Sequence, residues 1–219
     1  MDLAVAVSLR KSVRAFTPRE VDPAVLRRIF GQAQLAPSWC NIQPWRVWVA
    51  SGAAAARLKA TLVATAKSES PKTDVPFPVD YPEPYGTHRK QCGKALYEAM
   101  GVARGDSEGR QGAWLRNFVA FDAPHVAIVG IDRRFSVYAA LDVGCWLEAL
   151  MLAATAEGVA TCAQASLAAY PDALRRELGV PESIAILFGI ALGYEDIEAP
   201  ANRCRTTREP VEENVTFLA

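Results

Sequence analysis

The chain has 219 residues, 51% of them hydrophobic and 22% charged, with 24 basic side chains balanced by 24 acidic ones. At this length about 70% of the surface of the unfolded chain can be buried, so a true core is available, while zero net charge gives no long-range field to draw in nucleic acid or an anionic membrane. Five scattered cysteines without a Cys-x-x-Cys, and two histidines with no second imidazole at ligand spacing, argue against a disulfide framework and a metal site. With no signal-peptide pattern at the start, the expectation is a reduced, cytoplasmic protein.

The predicted elements begin with a short helix over Leu3 to Leu9, an apolar lead into Arg10-Lys-Ser-Val-Arg-Ala-Phe16. If that segment is helical, Arg10 and Arg14 lie one turn apart on one face, with Ser12 to the side. If it is a helix end running into a turn, Arg14 still reaches a different atom of the same ligand. Arginine favours flat, bidentate contacts to phosphate or polarised carbonyls, although by composition alone the cluster reads as a solvated basic patch.

Asp22-Pro23 supplies an N-cap and a first-turn proline for a helix from about Pro23 to Leu35, stopped by Pro37. Pro37 to Gln43 is an irregular polar loop, Trp45 to Ser51 a strand, and Ala53 to Lys67 an Ala-rich helix. Prolines at 71, 76, 78, 82 and 84 mark a long loop. Helical spacing returns over His88 to Met100, and Trp114, Leu115 and Phe118 suggest one more short helix. Residues 68–120 together read as a lid-like excursion from a single domain spanning 1–219.

His125 to Ile131 is a buried strand, and Ser136 caps a helix over Val137 to Glu157, ended by Gly158. That helix is apolar nearly all round; Asp142 and Glu148 interrupt it and the flanks lack anchoring charge, so it reads as a core helix whose remaining face a second subunit would bury. Val159 to Ser166 is a strand breaking into a loop, Pro171 to Leu178 an amphipathic helix, and Ile184 to Tyr194 a second buried strand. Val211 to Leu218 is a candidate strand able to cross to a partner. There is no Gly-x-Gly-x-x-Gly and hence no signal for a dinucleotide fold.

Three stretches, Arg10 to Phe16, Ala36-Pro-Ser-Trp-Cys-Asn-Ile-Gln-Pro-Trp45 and Asn202-Arg-Cys-Arg-Thr-Thr-Arg-Glu-Pro-Val-Glu212, resemble in order and spacing the nitroreductase family of FMN-dependent enzymes, over nearly the whole chain. The C-terminal stretch points toward its nitrobenzoate-reductase-like branch. The resemblance implies an α+β fold with a central, mostly antiparallel sheet flanked by helices, in an intertwined homodimer with its C-terminal strand exchanged.

It further implies bound FMN, NAD(P)H as reductant and a small nitroaromatic or quinone-like acceptor, with two-electron ping-pong turnover. Arg10, Arg205 and Arg208 match phosphate and ribityl contacts, Ser12 a hydrogen bond to the same tail, and Arg14 the cation beside flavin N1. Lys11 lies among them. Pro37, Ser38 and Asn41 match positions contributed across the dimer interface, Asn41 reading equally as a loop-stabilising Asx turn. Gln164 and Ala165 match backbone amides near flavin N5, in a Cys162-Ala-Gln-Ala-Ser166 stretch where many relatives carry Glu and Gly. Cys162 has no His partner and reads as a packing thiol. A dehalogenase or flavin-degrading enzyme of the same fold, a non-catalytic flavin-binding redox module, and a flavin-free domain docking a protein through its basic N-terminus are the alternatives.

Overall fold

The computed structural model describes residues 1–218. Its centre is a four-stranded sheet in which β1 (Arg46–Ser51), β2 (His125–Asp132), β3 (Ala160–Gln164) and β4 (Ile184–Gly193) lie in the order β1-β2-β4-β3, every pair antiparallel. Side chains alternate between the two faces of a strand. In β2, Val126 and Ile128 therefore join one core with Leu58, Leu62, Phe118 and Leu174, while Ala127, Val129 and Ile131 join a second with Ile29, Trp146 and Leu150. Burial on both faces explains why this antiparallel strand is almost continuously apolar.

The helices follow from local signals. α1 (Leu3–Leu9) is capped by Asp2, and α2 (Pro23–Ala33) by Asp22 with Pro23 in its first turn. α3 (Gly52–Ser68) and α7 (Pro171–Leu178) cover the first core; α7 ends at Gly179, whose φ of 68° suits glycine in a left-handed cap. Between them, α4 (Tyr85–Ala99) and α5 (Ser107–Leu115) form the body of the excursion. α5 begins well before the predicted Trp114 because Asp106 caps it, its carboxylate accepting from Gly109 N at 2.8 Å; Phe118 lies beyond its end.

α6 (Val137–Ala156), capped by Ser136, packs against α2 through Trp146 and Leu150. By length and composition α6 could cross a membrane, but only one side of it is buried: 33% of its most apolar window. Val137, Tyr138 and Leu141 on its other side are 56–68% exposed, and Leu3, Val5, Val7 and Leu9 of α1 are exposed as well.

Two expectations are corrected. Arg10 to Phe16 is not helical but extended, with β-bridges from Ser12 to Thr161 and from Phe16 to Glu195. The candidate strand over Val211 to Leu218 is a single helical turn, α8 (Val211–Asn214), followed by irregular chain. Among the described residues it joins no sheet.

The start of the excursion is pinned. The Asp74 carboxylate accepts from Arg133 Nη2 at 2.6 Å, Arg175 Nη2 at 2.7 Å and Ile186 N at 2.9 Å. Burial alone would raise its pKa, but the bonds from Arg175, Ile186 N and Arg133 outweigh it and hold the carboxyl below its ordinary value. His125 is likewise structural. Its Nε2 accepts from Val21 N at 2.9 Å, Nδ1 lies 2.7 Å from Ser51 Oγ, and burial depresses its pKa.

Candidate active site

The extended segment after α1 is held by backbone bonds from distant parts of the chain. Val13 N donates to Thr161 O at 3.0 Å, Phe16 N to Phe121 O at 3.2 Å and Thr17 N to Tyr194 O at 2.9 Å. Alternation in extended chain puts Arg10, Ser12 and Arg14 toward one side, and Val13, 2% exposed, into the core. Lys11, on the other side of the extended chain, pairs with Glu195 at 2.6 Å.

Asn202 is the hinge of the arrangement, and the sequence reading gave it no role. Only 4% exposed, it accepts through Oδ1 from Arg14 N at 2.7 Å and donates through Nδ2 to Ala15 O and Asp196 O, both at 2.8 Å. Its carbonyl accepts from Arg205 Nη1 at 2.8 Å. Asn202 thus ties the Arg14 backbone, 188 residues away in the chain, through its side-chain amide and the Arg205 guanidinium through its main-chain carbonyl. The signal available was an Asn, which offers both donor and acceptor, at the head of an Arg-rich tail.

Arg208 stands farther out, its Nη1 bonded only locally, to Thr206 Oγ1 at 2.9 Å and Thr207 O at 2.8 Å. With Arg205 it borders an open groove of about 1110 Å³ whose other wall is α4, including Tyr85, His88 and Gln91. His88 on that wall meets Glu209 at 2.9 Å. Among the described residues Arg10 has only a long contact, 3.8 Å, to Glu148. A guanidinium carries five N–H donors in a fork. Arg14 Nη1 donates to Ser12 O at 3.3 Å, and among the described residues the bonds of Arg14, Arg205 and Arg208 engage one nitrogen of each side chain, so donors remain for an anion.

Thr161, which bridges Ser12, begins the approach of β3 to Gln164. Gln164 is 5% exposed with its side chain turned inward, while Ala165 is exposed at the start of a 3-10 turn, Ala165–Ala169. The first N–H groups of such a turn lack partners within it. The turn sits flat on the sheet because a Cβ at Gly189 would stand 2.8 Å from Leu167 Cβ. Cys162 is 3% exposed, and burial pushes its thiol up to about 11, with Arg14 and Ser12 pulling back only partly. It is a packing thiol.

Pro37, Ser38 and Asn41 are not brought to this cluster within one chain. Their loop lies on the N-terminal half of α6, where Trp39 N donates to Asp142 Oδ1 at 3.1 Å and the Trp39 ring meets Tyr138 edge-on at 5.1 Å. Cys40, Asn41 and Gln43 all have positive φ, near 50°, a conformation costing about 1–3 kcal/mol per residue. Ser38 Oγ, accepting from Gln43 N at 3.0 Å, and Asn41, accepting from Gln43 Nε2, hold it. The loop is built, well ordered in its bonding, and faces outward beside the exposed side of α6.

Fold and site together define an α+β protein whose N- and C-terminal segments are joined at a seam carrying Arg14, Asn202 and Arg205. A model of the Nitroreductase family matches residues 7–194. The chain belongs to the nitroreductase family. It is 40% identical to the nitroreductase NfnB of Mycolicibacterium smegmatis, over 99% of this chain and 94% of that protein. It is 35% identical to the 4-nitrobenzoate reductase of Nocardioides sp., over 95% and 87% of the two chains. Among solved structures, the FMN and NADPH-dependent nitroreductase NfnB of Sphigopyxis sp. strain HMH superposes with a TM-score of 0.97, at 33% identity and full coverage of both chains.

Proposed function

We propose that this protein is an FMN-dependent NAD(P)H oxidoreductase of the cytoplasm that acts as a homodimer and reduces nitroaromatic or quinone-like acceptors in two-electron, ping-pong turnover. The observation that carries the reading is the locking of Arg14 and Arg205 through buried Asn202, which presents cations from both ends of the chain to one ligand. The donor set fits a phosphate dianion. Guanidiniums with unengaged donors are what a dianion needs, and charge-assisted bonds to it are worth about 1.5–3 kcal/mol each.

When bound, FMN supplies the hydride chemistry. The protein's part is position and electrostatics. Arg10, Ser12, Arg205 and Arg208 take the phosphate and ribityl tail; Arg14 is the cation for the N1 edge; Gln164 and Ala165 offer backbone to the N5 side. Pro37, Ser38 and Asn41 come from the second subunit, which explains why a built loop faces outward beside the exposed apolar side of α6. The same dimer accounts for the C-terminal tail. Val215, Phe217 and Leu218 are exposed, and β1 has an open edge, so exchange of the tail onto a partner's sheet covers both. The 68–120 excursion, fixed at its start by Asp74, is the lid over the acceptor.

Arg14→Gln should leave FMN bound but lower the flavin potential by about 30–60 mV, the equivalent of one charge-assisted bond in a two-electron couple, and slow reduction by NAD(P)H. A potential unchanged in spectroelectrochemical titration removes Arg14 from the N1 edge. Within the clamp, Arg205→Ala should weaken FMN retention by about 1.5–3 kcal/mol and Arg208→Ala by less, because only Arg205 is tied to Asn202. Equal FMN affinities of the two variants in fluorescence titration would contradict that ranking. A shared flavin face gives parallel double-reciprocal lines; intersecting lines rule out ping-pong turnover.

A further inference from the structure

We propose that Asn117 is a positioning residue for the flavin: it ties the end of the excursion to the turn at Gln164–Ser166 and so sets the backbone offered to the N5 side. The inference rests on the FMN reading above. Asn117 lies just beyond α5. Its Nδ2 donates to Trp114 O at 2.9 Å, which fixes the amide so that Oδ1 faces the turn. Oδ1 accepts from Gln164 Nε2 at 3.2 Å and Ser166 Oγ at 3.0 Å, and the Asn117 carbonyl accepts from the same Gln164 Nε2 at 3.1 Å.

The orientation of Gln164 follows from Asn117, not from the needs of Gln164 itself. Its Oε1 is buried without a partner, so the two acceptors of Asn117 prevail over the satisfaction of that oxygen. The exposed Ala165 sits between the two residues that Asn117 grips. The far end of the turn is fixed by Leu167 against Gly189. Asn117 in turn is held by its neighbour Phe118, 1% exposed and 5.4 Å from the Tyr170 ring. Displacement of the α5 arm by a bound molecule is therefore passed to the turn through one amide.

The test uses the FMN-loaded full chain and compares Asn117→Leu with Asn117→Asp, which keeps both acceptors and sets a carboxylate oxygen in place of the donor to Trp114 O. Asn117→Leu should retain about one FMN per chain by absorbance, a stoichiometry that follows from the intact phosphate clamp. It should nevertheless alter the shape of the visible flavin bands and slow single-turnover reduction by NADPH about ten- to a hundredfold, the range expected from misplacing a reacting centre. Asn117→Asp should restore the bands and most of the rate.

Parent-like bands and rate in Asn117→Leu overturn the proposal, and so does an Asn117→Asp variant no better than Asn117→Leu. Should Asn117→Leu fail to fold, Ser166→Ala removes one of the three bonds at the exposed rim. It should slow reduction about threefold, within the range of a single hydrogen bond, at an unchanged unfolding temperature; a parent-like rate there overturns the proposal. A parent protein that takes up no FMN overturns the flavin reading and this inference with it, and is seen before any substitution is made.

Discussion

Leu141→Glu is expected to leave the protein monomeric at micromolar concentration and stripped of flavin. Leu141 is 61% exposed on a helix face shared with Val137 and Tyr138, beside Trp39, and a monomer rarely leaves so contiguous an apolar surface uncovered. Burying a leucine is worth about 1.5–3 kcal/mol, and two-fold symmetry counts the loss twice. A carboxylate at that place must also be desolvated or expelled. The Pro37–Asn41 loop is anchored to the same helix through Asp142, so in the proposed dimer a chain without its partner would lack that side of the flavin pocket. Light scattering coupled to flavin absorbance reads both effects together. A monomeric variant holding one FMN per chain would show that the site is complete within a single subunit.

Asp74→Ala should be strongly destabilising. It removes the carboxylate facing Arg175, whose side chain is 7% exposed, and also orphans Ile186 N in β4. Arg175 still meets the exposed Glu182 through Nε at 3.2 Å, so the loss is bounded by the about 3–5 kcal/mol of a buried charge left unpaired, a fall in melting temperature of at most about 20 °C in a domain of this size. The pH dependence has a definite sign. A carboxyl whose folded pKa is depressed contributes its stability in full above its unfolded value, about 3.9, and loses it as pH falls through the folded pKa. The stability gap between the parent and Asp74→Asn should therefore be constant near neutrality and close below about pH 4. A melting temperature within about 2 °C of the parent, less than 1 kcal/mol in such a domain, would mean that the cluster contributes little.

Much of the fold was legible because its signals are local. The bounds of α7 agree with the predicted Pro171 to Leu178, and those of α2 and α6 differ by a residue or two, since prolines, caps and glycine act on their immediate neighbours. β2 and β4 were legible from uninterrupted apolar runs. α5 was harder to place because Ser-Glu-Gly-Arg-Gln-Gly has weak helix propensity and only Asp106 marks its start. Of the site, the motifs carrying Ser12, Arg14 and Arg205 were visible as a pattern of types in order.

By itself, then, the sequence determined the order of the cationic motifs and the family they belong to, and that a helix such as α6 is apolar nearly all round. Only the tertiary structure decided how those motifs are held. Extended chain over Arg10 to Phe16 replaces the helical alternative because its backbone donors are taken by Phe121, Thr161, Tyr194 and Asn202, each more than 100 residues away. The same remoteness assigned Lys11 to Glu195, made Asn202 the hinge between Arg14 and Arg205, and pinned the excursion at Asp74. Helix caps and apolar periodicity are read from neighbours a few residues apart, whereas the partner of a polar group is chosen by the fold, from any distance along the chain.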